Sequence, residues 1–165
     1  RKHLTETLRQ AAAHPGTALI EIYQNCNIFN DGAFDALKDK QTAEEAVIRL
    51  RHGKPVRFGA DGARGVVRDR VTGDLEVATV TPDNEADVLV HDAHAATPTT
   101  AFALSRLADP DTLHHTPIGV FRSVDRPVYD TSMADQLDTA IEQYGKGDLA
   151  LLLAGNDTWT VESAS

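Results

Sequence analysis

A helical stretch that ends in Pro15-Gly16 and runs at once into Thr17-Ala18-Leu19-Ile20-Glu21-Ile22-Tyr23 constrains the fold of this chain most strongly. Leu4, Leu8, Ala11 and Ala12 recur at helical spacing, and Pro-Gly is a firm stop. In the run that follows, Ala18, Ile20 and Ile22 share one face of an extended segment and Leu19 adds to the other. A strand that is apolar on both faces suits a parallel sheet covered on both sides. Helix, turn and strand make half of a crossover unit, whose first strand precedes the helix. That first strand would lie before residue 1, so the chain is expected to begin inside a sheet. The single methionine is Met133 and the chain opens on Arg1, which points the same way, to a piece of a longer parent.

At 165 residues with 41% hydrophobic content, the chain can bury a core, as one domain or the trailing part of a larger one. No apolar run approaches the roughly 20 residues of a membrane helix, and the alternating start is not a secretory signal. A net charge of −9 argues against nucleic acid, because phosphate binding needs a clustered cationic surface. One cysteine excludes an internal disulfide and suits a reducing, cytoplasmic setting.

Further along, Ala33 to Lys40 reads as a short helix. Thr42-Ala43-Glu44-Glu45 has the form of a capping box opening a helix through Ala46, Val47 and Leu50, with Gly53 and Pro55 to stop it. Phe58 to Gly65 is expected to be irregular, and Val66–Val71 with Leu75–Val80 to form a hairpin around Thr72-Gly73-Asp74. Val88 to Val90 and Ile118 to Phe121 read as short strands. A helix begins at Thr97-Pro98 and runs through Leu104 and Leu107 to Asp109-Pro110, and another carries Met133, Leu137, Ala140, Ile141 and Tyr144 to Gly145. A soft boundary falls near residue 30.

Four places invite chemistry. Gly59, Gly62 and Gly65 lack both the Gly-Lys-Ser/Thr ending of a P-loop and the order of a dinucleotide fold, so a turn between short strands explains them better. His91-Asp92-Ala93-His94 places two imidazoles at i, i+3, with Asp87 and His114-His115 as distant candidates. No third metal ligand adjoins, and polar loop residues are the simpler reading. Asp125 to Asp130 reads as an ion-paired turn into a helix N-terminus. The fourth place is the only cysteine, in Gln24-Asn25-Cys26-Asn27-Ile28-Phe29-Asn30-Asp31-Gly32. It sits on a loop leaving the expected strand, where α/β enzymes keep their chemistry. It has no histidine within ten residues as a base, and one thiol cannot hold a metal alone. Cys26 is therefore either a small buried hydrophobe or one ligand of a site completed elsewhere, its sulfur tuned by loop N–H groups.

The run Gly16 to Phe34, GTALIEIYQNCNIFNDGAF, resembles the β subunit of 2-oxoacid:ferredoxin oxidoreductases, most closely the 2-oxoglutarate type. The family's Cys-x-x-Phe/Tyr-Asn segment is matched by Cys26, Asn27, Ile28, Phe29 and Asn30. Pro117-Ile118-Gly119-Val120-Phe121-Arg122 and Arg126-Pro127-Val128-Tyr129-Asp130 look like its C-terminal region. The resemblance implies an α/β fold in which residues 1–30 hold the last strand and helix of a thiamine-diphosphate-binding parallel-sheet domain. Residues 31–165 would then be a small α+β C-terminal extension that covers the cofactor domain and helps bind the α subunit. It implies that Cys26 is the fourth ligand of a [4Fe–4S] cluster whose other cysteines lie upstream. The activity implied is oxidative decarboxylation of a 2-oxoacid with thiamine diphosphate and magnesium, giving an acyl-coenzyme A and electrons for ferredoxin. Asparagine flanks Cys26 where many members have proline, and the Gly-Asp-Gly signature for the diphosphate is absent. No complete catalytic site is therefore expected within these residues, which alone should be inactive. The alternatives are a pyruvate or other 2-oxoacid enzyme, and a non-catalytic assembly module that keeps the fold.

Overall fold

Apolar β-branched residues in the middle of the chain find one another across two small sheets, and everything else in the first half is arranged around that contact. The computed structural model describes residues 2–39, 42–159 and 161. It divides into two units, Arg1–Asp125 and Arg126–Ser165. In the first, β1 (Val47–Arg49) pairs in parallel with β5 (Thr116–Ile118), with Val47 beside Thr116 and Ile48 beside Pro117. The chain between them builds an antiparallel sheet of β2 (Arg57–Phe58), β3 (Arg64–Arg68) and β4 (Leu75–Thr79), and the helix α3 (Thr99–Ser105). The unit is thus α/β with one parallel and one antiparallel sheet. Ile48, Leu50, Val56, Phe58, Val66 and Leu104 make the core, with Leu75, Val77, Leu89, Leu107 and Phe121 packed on it.

The hairpin forms where the alternation places it, as β3 and β4 with Val66 opposite Val77. Residues 88–90 knit into this sheet through isolated bridges: Leu89 N–H donates to Val66 O (2.8 Å), and Val56 N–H to Leu89 O (2.8 Å). The Phe58–Gly65 stretch is less irregular than expected. It contains the end of β2, a 3₁₀ turn over Ala60–Gly62 and the start of β3. Gly59 and Gly62 take φ of +76° and +69°, so these glycines shape a turn between strands. α1 (Lys2–Ala13) matches its periodicity, and α3 begins one residue later than expected, with Pro98 as its N-cap.

Three expectations give way. Thr17–Tyr23 is not a strand: no ladder pairs it, and its side chains are exposed, Leu19 to 97%. A parallel strand owes its structure to neighbours on either side, and the described residues supply none here. The helix expected from Thr42 is a single turn, α2 (Ala43–Ala46), because Val47 and Ile48 are drawn into β1, where Ile48 is fully buried. Thr42 makes no capping bond and instead donates its hydroxyl to Ala36 O (3.0 Å). The Ala33–Lys40 helix shrinks to a 3₁₀ turn at Asp35–Leu37, with Lys40 outside the described residues. The strand expected at 118–121 lies at Thr116–Ile118 instead, because Gly119 breaks it with φ of +123°.

The second unit consists of α4 (Tyr129–Tyr144), ended by Gly145 as expected, and α5 (Leu149–Ala154). The sequence reading passed over α5, although Asp148 caps it, its carboxylate accepting from Ala150 N–H (2.8 Å) and Leu151 N–H (3.0 Å). No residue of either helix is buried. Among the described residues, no helix is long and apolar enough to cross a membrane.

Candidate functional site

The loop from Tyr23 to Phe34 is closed at its base by aromatic stacking, the two rings lying 5.1 Å apart and 22° from parallel. Inside this clasp the asparagines do the bracing. The Asn25 amide donates to Asn27 Oδ1 (2.8 Å) and to Asp31 Oδ1 (2.9 Å), while its own oxygen accepts from Gly32 N–H (2.8 Å). Asn30 Oδ1 accepts from Cys26 N–H (2.9 Å), and Asn30 N–H returns a bond to Cys26 O (3.0 Å). Gly32 turns the chain out of the loop at φ of +76°. These bonds fix residues 26–30 as a tight bend around the thiol.

Cys26 is a free, partly buried thiol within that bend. The backbone N–H groups of Phe29, Ile28 and Asn30 direct hydrogen bonds at its sulfur and hold its pKa below the usual 9.0. Donors aimed at sulfur favour the charged form, which is both the nucleophilic and the metal-binding form. Ile28 and Phe29 project apolar side chains into solvent beside it. The thiol is expected to react with iodoacetamide at a rate whose pH midpoint lies below 9.0, measured on the folded chain; a midpoint at or above that value would show the amides turned away. The fit to a metal–sulfur group is that of one ligand: a thiolate with amide donors already in place, as iron–sulfur proteins arrange around their cluster sulfurs.

The histidines serve a different end. His91 is buried and its Nε2 donates to Val120 O (2.8 Å), while His94 Nδ1 donates to Ser123 O (2.6 Å). Together they tie residues 91–94 to the segment after β5. His52 Nδ1 accepts from Ala93 N–H (3.2 Å) and so carries no proton there; its 3.5 Å approach to Asp92 Oδ1 sets one acceptor beside another. Asp87 is held by Arg70 through two bonds of 2.9 and 2.8 Å. His115 lies against Phe58, its ring centroid 5.8 Å away, and burial followed by the nearby Arg64 charge keeps its pKa low. Among the described residues no three His, Cys, Asp or Glu side chains are placed to hold a metal ion. In the Pro117–Arg122 stretch, Arg122 donates to Ala95 O (3.3 Å) and Ala96 O (2.8 Å), a structural clamp.

Sequence reasoning singled out Cys26 but missed its scaffold. The signal was present as asparagines one residue before and four residues after the thiol, the spacing at which Asx side chains bond to nearby backbone.

No protein-family model matches the chain, and no solved structure matches it. Among curated proteins, it is 49% identical over 164 residues to the 2-oxoglutarate oxidoreductase subunit KorB of Mycobacterium tuberculosis. That similarity takes in 98% of this chain and 43% of the relative, so the chain spans less than half the length of the protein it matches. Identity at that level along nearly every residue makes this chain a member of the family that its Gly16–Phe34 stretch resembles, that of the 2-oxoacid oxidoreductase subunits.

Proposed function

We propose that these residues are part of the β subunit of a 2-oxoglutarate:ferredoxin oxidoreductase, with Cys26 as one ligand of its [4Fe–4S] cluster. The observation that carries the proposal is the Cys26 bend, in which three backbone amides face a thiol of lowered pKa. The printed name of the 49% identical relative supplies the substrate class. In the complete enzyme, 2-oxoglutarate and coenzyme A would give succinyl-coenzyme A and carbon dioxide, with two electrons passing singly to ferredoxin. Thiamine diphosphate with magnesium, when bound, would supply the carbanion stabilisation, and the α subunit would complete the assembly. The contribution of this chain's own residues is narrower. Asn25 and Asn30 hold the bend, the amides of residues 28–30 stabilise negative charge on sulfur, and Ile28 and Phe29 keep water from one side of it.

The same reading assigns residues 1–30 to the edge of a thiamine-diphosphate-binding domain and residues 31–165 to an extension. Support comes from the bare Thr17–Tyr23 segment, whose apolar residues on both faces suit a parallel sheet that the described residues do not contain. The setting proposed is cytoplasmic.

Cys26→Ala in the complete enzyme tests the assignment. The expected result is loss of cluster iron and of ferredoxin reduction, whereas iron content equal to the parent enzyme would overturn it. Turnover of 2-oxoglutarate against pyruvate by the same preparation decides the substrate.

A further inference from the structure

The helix α4 has a face that nothing in its own unit covers. Tyr129, Met133, Leu137 and Ile141 follow one another at steps of four and form a single row along it, between 37% and 80% exposed. The next row round the helix is Asp130, Ala134, Asp138 and Glu142. The row on the other side, Ser132, Gln136, Ala140 and Tyr144, is uncharged, and the helix contains no lysine or arginine. α5 continues the apolar surface with Leu149, Leu151, Leu152 and Leu153, all exposed. A 16-residue helix is only marginally stable in water by itself and gains most of its stability by burying such a stripe.

Charge narrows what covers it. Two copies of α4 packed antiparallel would set the acidic row against its own copy. Packed parallel, they would set it against the uncharged row. Neither self-pairing supplies a cation. We propose that α4 is a docking helix for a different polypeptide, whose apolar groove takes Tyr129, Met133, Leu137 and Ile141. On the side facing Asp130, Asp138 and Glu142, the rim of that groove carries lysine or arginine. This deepens the function proposed above, on which it rests for one point only, that the polypeptide is the other subunit of the enzyme.

The test uses the full-length subunit co-expressed with its partner subunit, with the photoreactive residue benzoylphenylalanine in place of Leu137. Irradiation and peptide mass spectrometry are expected to show an adduct with the other polypeptide, at a peptide that carries lysine or arginine. An adduct with a second copy of this chain, or with its own residues 1–125, overturns the proposal, and so does the absence of any adduct. The charge-reversed pair Asp138→Lys/Glu142→Lys lies beside the apolar row, and circular dichroism reports whether the helix persists. With the helix intact, the dissociation constant between the subunits is expected to rise about tenfold or more; an unchanged constant refutes the charged rim. The cluster assignment is judged separately, by the iron content of Cys26→Ala. An adduct to a basic groove on another chain, together with unchanged iron, would keep the docking helix and remove the cluster. Lost iron with an adduct elsewhere would do the reverse.

Discussion

Gly119→Ala is expected to destabilise the chain by roughly 2–4 kcal/mol, seen as a fall of about 1–2 M in the urea midpoint. Two physical effects add at this position. Its φ of +123° lies in a region that residues with a Cβ rarely adopt, and a Cβ built there would stand 2.9 Å from the carbonyl oxygen of Leu50. That oxygen belongs to backbone fixed on both sides, since Leu50 N–H donates to Ile118 O (2.9 Å) at the end of the parallel β1–β5 pair. Relieving the clash therefore means moving one strand off the other. Gly53→Ala provides the control: its φ is +69°, but nothing lies within 4 Å of the added carbon. Strain alone should cost about 1 kcal/mol there. Equal losses at the two sites would mean that the close approach to Leu50 contributes nothing.

What the sequence revealed and what it hid follow from the range of the forces involved. The β3–β4 hairpin, α1 and the end of α4 at Gly145 are set by residues close in the chain: an alternating run with a Thr-Gly-Asp turn, a helical stripe with a Pro-Gly stop, and a glycine able to take φ of +81°. Thr42-Ala43-Glu44-Glu45 has good local helix chemistry and still yields only one turn. The partner that captures Val47 and Ile48 is Thr116–Ile118, nearly seventy residues away, and no window of local sequence contains it. The Cys26 loop was legible as a loop with an unusual thiol, because asparagine and glycine advertise turns. The clasp of Tyr23 on Phe34 and the three amides at the sulfur are matters of geometry that no spacing rule prints. The histidines misled for a related reason: His91 and His94 are close in sequence, but each is aimed at a carbonyl of residues 120–123.

Ile48→Ala and Leu19→Ala should separate a finished part of the fold from an unfinished one. Both residues are branched aliphatics in runs with strand character. Ile48 is fully buried in the core between Leu50, Val56 and Leu104, whereas Leu19 is 97% exposed. Truncating Ile48 removes three buried carbons and leaves a cavity that the β1–β5 pair cannot collapse to fill, at a cost of about 2–5 kcal/mol. Truncating Leu19 in this 165-residue chain should cost less than about 0.5 kcal/mol, because there is no burial to lose. Both are read from urea unfolding of the same preparation. In the complete subunit the second value is the informative one. If Thr17–Tyr23 is a strand inside a parallel sheet there, Leu19 packs against that sheet's cover and its truncation should cost about 2 kcal/mol or more. A loss that stays near zero in the complete subunit would leave the segment as a surface linker and detach Cys26 from the sheet edge on which its proposed role depends.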